Sequence, residues 1–133
     1  MTRTTPIYCY SRGISKEGSI DVWYYLIVIV NVADEETRTI WQGKRSRRLP
    51  TEIQTTAFRK LGYIDDAVLI TDLRLPPGNQ LEKLSGDRDG QWSVRINHQW
   101  RICFVWAERQ PNPAVQTPQP GDAYQVEITN HYG

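Results

Sequence analysis

The sequence predicts an α+β domain in which amino-terminal helices pack on one side of a small, mostly antiparallel twisted sheet. Apolar residues recur at helical spacing between residues 34 and 73 and at alternating spacing between residues 81 and 129. This change of period separates a helical half from a sheet half. An apolar run of nine residues, Val22–Val30, precedes both halves. It is too short to cross a bilayer and is rich in β-branched and aromatic residues, so it predicts a buried strand over Val22–Val32.

The composition is that of a globular domain with an uneven distribution of charge. The chain has 133 residues, of which 39% are apolar and 23% are charged, and this argues against a disordered chain. The net charge is only +1, yet residues 38–60 contain seven basic side chains and one acid. That concentration predicts a basic surface that the net charge conceals.

The two cysteines, Cys9 and Cys103, are too few for a disulfide framework, and Cys103 lies inside an apolar run. No signal-peptide pattern is found at the amino terminus. Both observations favour a reducing compartment, so we expect a cytoplasmic protein without a membrane role.

The helical half is divided by capping and breaking residues. The acids at 34–36 begin a short helix that ends near Gly43, and Leu49–Glu52 opens a second helix. A further helical turn is expected over Asp65–Leu73, and Pro76–Asn79 is a strong break. The buried side of the second helix is expected to hold the residues at helical spacing: Ile53, Ala57, Leu61 and Ile64.

The sheet half is predicted to contain four strands. Leu81–Leu84 is a short strand, and Gln91–Asn97 alternates, with Trp92, Val94 and Ile96 directed inward and Ser93 and Arg95 outward. Trp100–Trp106 is apolar on both faces except for Arg101, which is typical of a central strand. A long loop with four prolines is predicted at 107–122. The last strand is Tyr124–Thr129, with Tyr124, Val126 and Ile128 on one face.

Two arginines in the predicted sheet are candidates for binding phosphate. Arg101 lies in the most apolar strand, where an unpaired charge is costly, so it either pairs with an acid such as Glu127 or faces a site on the sheet. Arg95 lies on the polar side of its strand and is either part of that site or a solvated side chain. The two arginines share a face only if the loop between their strands has three residues or a bulge.

Other chemistry-bearing residues lie near the carboxyl end. His131 is a histidine, a residue type that can exchange a proton near neutral pH, and Tyr132 can donate a proton or stack on a base. The alternative for both is a terminal residue without a role. We expect His98 to be a surface residue of a hairpin turn. The sequence contains no His, Cys or carboxylate cluster at metal-ligand spacing, so neither a metal nor another cofactor is expected.

The basic residues suggest contacts with nucleic acid. Four charges within five residues are typical of a polyanion-binding segment, although a solvated helix junction or a contact with an acidic partner protein is also compatible. The residues predicted to bind RNA are Lys44, Arg45, Arg47, Arg48, Lys83 and Arg88.

The segment Asp72–Asn79, followed by Leu81–Asp87, Gly90–Asn97, Gln99–Trp106 and Gly121–Ile128, resembles the HigB branch of the RelE/ParE toxin superfamily. The resemblance implies a RelE-like fold over residues 27–133, preceded by an extension at residues 1–26. It also implies a ribosome-dependent mRNA endonuclease that needs no metal, inhibits translation and is masked by a HigA-type helix-turn-helix antitoxin. In RelE-like enzymes the arginine that matches Arg101 contacts the scissile phosphate.

The sequence departs from the family pattern at several positions. Glu82 and Ser85 stand where many HigB toxins have His and Lys, and the chain ends in Asn-His-Tyr rather than Asp-Tyr-His before Gly133. The lost cation and proton carrier predict slower cleavage. Three alternatives remain open: a ParE-like gyrase inhibitor, a non-catalytic RNA- or antitoxin-binding module, and a toxin whose catalytic residues have eroded.

Overall fold

The computed structural model describes residues 29–130, and its first elements are two helices. Helix α1 spans Glu35–Trp41 and α2 spans Thr51–Asp66. The carboxylate of Asp34 accepts a hydrogen bond of 3.0 Å from the Thr37 amide, which caps α1 as the acidic start of this segment suggested. A 3₁₀ turn follows at Ile70–Arg74, which overlaps the predicted helical turn at Asp65–Leu73 and extends one residue beyond it. A second 3₁₀ turn lies at Pro77–Asn79, where a break was predicted.

Four antiparallel strands follow in the order β1-β2-β3-β4. Strand β1 spans Glu82–Lys83, β2 spans Gln91–Arg95, β3 spans Trp100–Glu108 and β4 spans Gly121–Asn130. The two helices and this sheet confirm the predicted α+β class with a mostly antiparallel sheet.

The core lies between the helices and one face of the sheet. Ile53, Ala57, Leu61 and Ile64 of α2 are buried, as their helical spacing predicted. They pack in one cluster with apolar side chains of the strands, including Ile102, Phe104 and Val126. The opposite face of the sheet is therefore not covered by α1 or α2.

Backbone contacts tie the beginning of the described chain to β4. Ile29 and Val32 form isolated parallel bridges with Ala123 and Val126. The described part of the predicted strand Val22–Val32 thus lies beside β4, while residues 22–28 and the expected extension at 1–26 lie outside the described residues.

Two predictions about the last strands need correction. Strands β3 and β4 extend to Glu108 and back to Gly121, so the loop is shorter than the predicted 107–122. The register between β3 and β4 shifts at a β-bulge around Gln125, whose φ is +53°. Tyr124 consequently lies opposite Val105, on the other face from Val126 and Ile128. A strict alternation cannot anticipate the extra residue of a bulge.

None of the helices formed by residues 29–130 has the length and apolar character needed to span a membrane.

Candidate active site

The hairpin of β2 and β3 brings two arginines to the same face of the sheet. Arg95 and Arg101 are directly opposed in the register, so their side chains leave the sheet on the same side. The Ile96 amide donates to the Trp100 carbonyl at 2.9 Å, which leaves a three-residue loop at residues 97–99. The Asn97 carboxamide oxygen accepts from the Gln99 and Trp100 amides, both at 2.8 Å, and holds this loop. The structure therefore meets the geometric condition that the sequence left open.

The guanidinium of Arg101 is held by three groups. Its Nε donates to Ser93 Oγ at 2.9 Å, and its Nη2 donates to the Gln80 carbonyl and to Glu82 Oε1, both at 3.2 Å. Only 11% of the Arg101 side chain is exposed, whereas 59% of the Glu82 side chain is exposed. The acid that pairs with Arg101 is thus Glu82, and the predicted partner Glu127 pairs with Arg88 instead. The register explains this, because Glu127 lies opposite Cys103 and Glu82 lies opposite Ser93.

Arg95 differs from Arg101 in having a guanidinium that no other described side chain or carbonyl holds. Among residues 29–130 it has no hydrogen-bond or ion-pair partner, and its side chain is half-buried. Two cations at opposed positions of an antiparallel pair repel each other. An anion that bridges Arg95 and Arg101 would relieve this repulsion, and a phosphate has the geometry for two guanidinium groups.

A third arginine lies over the same face. Arg88 Nη1 donates to Gln91 Oε1 at 2.9 Å and contacts Glu127 Oε1 at 3.4 Å. Between these groups and Arg101 lies Cys103. Burial raises the pKa of its thiol, Glu127 adds to the increase, and the charges of Arg88 and Arg101 oppose it. The thiol is therefore a protonated part of the sheet rather than a nucleophile.

The predicted basic segment lies elsewhere, in the loop between α1 and α2. Ser46 at its centre is buried, donates through its hydroxyl to Glu36 and accepts the amides of Arg48 and Leu49 at 3.1 and 3.3 Å. These bonds fold the loop around Ser46 and leave its four basic side chains exposed: Lys44, Arg45, Arg47 and Arg48. The structure does not bring them onto the face that carries Arg95 and Arg101.

The remaining candidate residues are Lys83, His98, His131 and Tyr132, of which the structure describes the first two. Lys83 lies opposite Trp92, on the other face of the sheet from Arg101, with Nζ 5.7 Å from the centre of the indole ring. His98 is exposed in the hairpin loop, as predicted. His131 and Tyr132 lie outside the described residues, directly after Asn130 of β4, which pairs with Trp100.

Sequence reasoning missed three groups of this site: the carboxylate of Glu82, the hydroxyl of Ser93 and the carbonyl of Gln80. The alternation of β2 did place Ser93 and Arg95 on one face, so the signal for Ser93 was present. Ser93 was expected to face outward into solvent, yet it is 0% exposed because the Arg101 side chain covers it. Glu82 was noted only as a replacement for a family histidine.

Metal ligands are not grouped in this part of the chain. Residues 29–130 contain no cluster of three or more His, Cys, Asp or Glu side chains that could hold a metal ion. Among the described residues, the charged side chains that contact Arg101 or lie close to it are those of Arg88, Arg95, Glu82 and Glu127.

Comparisons with known proteins agree with the fold. The family described as "RelE-like toxin of type II toxin-antitoxin system HigB" matches residues 32–116. Toxin HigB-1 of Vibrio cholerae serotype O1 is 45% identical over 65 residues, which is 49% of this chain and 68% of the relative. An uncharacterized protein of Haemophilus influenzae is 31% identical over 76 residues, covering 57% of this chain and 75% of the relative. The chain therefore belongs to the HigB family of RelE-like toxins of type II toxin–antitoxin systems.

Proposed function

We propose that this toxin is an mRNA endonuclease that acts on the ribosome and cleaves RNA through the ribose 2′-hydroxyl without a metal ion. The observation that carries the proposal is the pair of opposed arginines on the face of the sheet that the helices leave uncovered. Arg101 is held by three groups, whereas Arg95 has no partner among residues 29–130. RNA cleavage of this kind needs cations at the phosphate, a proton acceptor at the 2′-hydroxyl and a proton donor at the leaving oxygen.

The described residues supply the first two requirements. Arg95 and Arg101 bind the scissile phosphate and stabilise the charge that grows on its oxygens. Glu82 accepts the proton of the 2′-hydroxyl, since its carboxylate is exposed and adjoins the Arg101 guanidinium at 3.2 Å. It does so at the position where many family members have a histidine.

The cleavage step forms one bond to phosphorus and breaks another. The 2′-oxygen forms a bond to phosphorus, the bond from phosphorus to the 5′-oxygen breaks, and the 5′-oxygen takes a proton. We assign that proton to His131 or Tyr132, which follow directly after β4 in the chain. The products are a 2′,3′-cyclic phosphate and a 5′-hydroxyl.

The basic loop has a separate role in this proposal. Lys44, Arg45, Arg47 and Arg48 bind ribosomal RNA phosphates, with further contacts from Lys83 and Arg88. Replacing Arg45 and Arg47 with Ala is expected to weaken ribosome binding and to reduce its salt dependence, by about one unit of log–log slope per residue. An unchanged slope would argue for a loop that binds no RNA.

Membership of a type II system implies an antitoxin partner. We propose that this antitoxin is a HigA-type helix-turn-helix protein encoded beside the toxin, and that the toxin acts in the cytoplasm, where its ribosomes are. Co-expression with the neighbouring open reading frame should relieve growth arrest.

The nuclease is tested with purified toxin and ribosomes programmed with a defined mRNA. Arg101→Ala is expected to lower the cleavage rate by about 100- to 1000-fold, the usual effect of removing a group that stabilises transition-state charge. Glu82→Gln is expected to lower the rate while keeping ribosome binding, because it retains the shape of the side chain and loses its basicity. The control is Arg74→Ala, which removes an exposed arginine outside the site.

The outcomes separate the nuclease from a binding module. Cleavage lost with binding retained supports catalysis by Arg101. Parallel loss of binding and cleavage would favour a non-catalytic module, and a wild-type chain that produces no cyclic phosphate ends would refute the nuclease.

A further inference from the structure

Helix α2 contains a buried lysine that has no counter-ion among residues 29–130. Lys60 is only 6% exposed, and its Nζ donates to Asn79 Oδ1 at 2.7 Å. Within the described part of the chain it forms no ion pair with a carboxylate. Burial lowers the pKa of Lys60, and the charges of Arg59 and Arg95 lower it further. A buried amine costs stability that an apolar side chain of similar length would avoid, so packing alone does not explain this residue.

The partner of Lys60 fastens the segment that precedes β1. Asn79 is 0% exposed, and its amide group donates to the carbonyls of Leu73 and Leu75, both at 3.2 Å. The oxygen and the nitrogen of this one side chain therefore connect α2 to two points of the turn. Removing either partner would leave buried polar groups without hydrogen bonds.

Gln80, the residue after Asn79, contacts Arg101 through its backbone carbonyl. Gln80 has a φ of +45°, a left-handed conformation that a residue other than glycine keeps only when its surroundings impose it. In this conformation its carbonyl accepts a hydrogen bond from Arg101 Nη2 at 3.2 Å. Two residues later, Glu82 contacts the same nitrogen.

We propose that Lys60 and Asn79 are positioning residues for the nuclease site, because their hydrogen bond holds the turn whose Gln80 carbonyl and Glu82 carboxylate orient Arg101 toward the phosphate. This role rests on the proposed function. The contacts run from Lys60 Nζ to the Asn79 side chain, along one peptide unit to Gln80, and from there to the guanidinium. Neither Lys60 nor Asn79 touches the RNA.

The test uses Lys60→Met, which keeps the length of the side chain and removes the amine. Its unfolding free energy is expected to fall only modestly, because Asn79 Oδ1 loses its hydrogen bond while removal of the buried amine offsets part of that loss. Its cleavage rate at saturating ribosome is expected to fall by about 10- to 100-fold, the effect of a misplaced catalytic group, while the ribosome concentration at half-maximal rate is unchanged. Arg74→Met is the matched control, because it removes the same charge from an exposed position in the same region.

A spectroscopic measurement follows Arg101 directly. The Arg101 Nε–H, bonded to Ser93 in the wild type, gives a side-chain NMR signal that is assigned by its loss in Arg101→Lys. In Lys60→Met this signal should shift and broaden. The double variant Lys60→Met/Asn79→Leu replaces both polar partners with apolar groups and provides a second chain that is expected to fold and to cleave slowly.

The results distinguish failure of this inference from failure of the proposed function. A folded Lys60→Met chain with wild-type cleavage and an unmoved Arg101 signal overturns the positioning role alone. If the wild type cleaves no RNA, the proposed function fails, and the Arg101 signal still decides whether Lys60 orients the guanidinium. If neither variant folds, Lys60 belongs to the fold rather than to the site, and the inference is overturned.

Discussion

Replacing Ser93 with Ala tests whether a single hidden hydroxyl orients the arginine of the site. Ser93 is 0% exposed, and its Oγ accepts the Nε–H of Arg101 at 2.9 Å. Since only 11% of the Arg101 side chain is exposed, water can replace the lost hydroxyl poorly. The substitution leaves the Nε–H of a charged group without a partner and removes one of the three contacts that set the plane of the guanidinium.

The expected coupling energy follows from the kind of hydrogen bond that joins Ser93 to Arg101. A hydrogen bond to a charged group contributes about 1.5–3 kcal/mol to stability. When Arg101 is Met, the Ser93 hydroxyl has itself lost its partner, and Ser93→Ala should then cost almost nothing. A double-mutant cycle of Ser93→Ala and Arg101→Met should therefore give a coupling energy of about 1.5–3 kcal/mol.

The assay is urea unfolding of the wild type, the two single variants and the double variant. Thr55→Val, at an exposed threonine of α2, is the control for removal of a hydroxyl. Cleavage of mRNA on programmed ribosomes should fall in Ser93→Ala and stay unchanged in Thr55→Val. A coupling energy below about 0.5 kcal/mol, within the range of independent sites, would refute the idea that Ser93 holds Arg101.

Three further predictions concern buried polar groups. Asp122 accepts two hydrogen bonds from the nearly buried Arg109, from Nη2 at 2.7 Å and from Nε at 2.9 Å. Asp122→Ala should therefore lower the free energy of unfolding in urea by about 3–5 kcal/mol, and a loss below about 1 kcal/mol would contradict this. In a Cys9→Ser chain, the raised pKa of Cys103 should keep its thiol unreactive toward Ellman's reagent until the chain unfolds, and rapid labelling of the folded chain would be contrary to expectation. The lowered pKa of Lys60 means that the unfolded chain binds more protons than the folded one, so the free energy of unfolding should rise as the pH increases toward the ordinary lysine pKa of 10.5. This rise, measured by urea unfolding at several pH values, should be larger for the wild type than for Lys60→Met, and an equal rise in both chains would refute the prediction.

Much of the fold could be predicted because it depends on local periodicity. The helical spacing of Ile53, Ala57, Leu61 and Ile64 identified the buried side of α2, and alternation identified β2. Both patterns reflect the geometry of one element. The bulge at Gln125 was not predicted, since an inserted residue is visible only in the pairing of two strands.

The candidate site was predicted in part. Family resemblance and strand position singled out Arg101 and Arg95, and a condition on the hairpin loop stated when they would share a face. The sequence offered Glu127 as an example of an acid that could pair with Arg101, but the structure pairs Arg101 with Glu82. The choice between these acids depends on a register that extends over three strands.

The sequence by itself determined the fold class and the buried faces of the helix and strands, because these follow from residue types at regular local spacing. The family was indicated by the resemblance of whole segments to known toxins. Only the tertiary structure decided which charges meet. Arg101 is 21 residues from Gln80 and 19 from Glu82, and Lys60 is 19 from Asn79. Contacts over such separations are selected by the packing of whole elements, in which each pair must fit together with all the others.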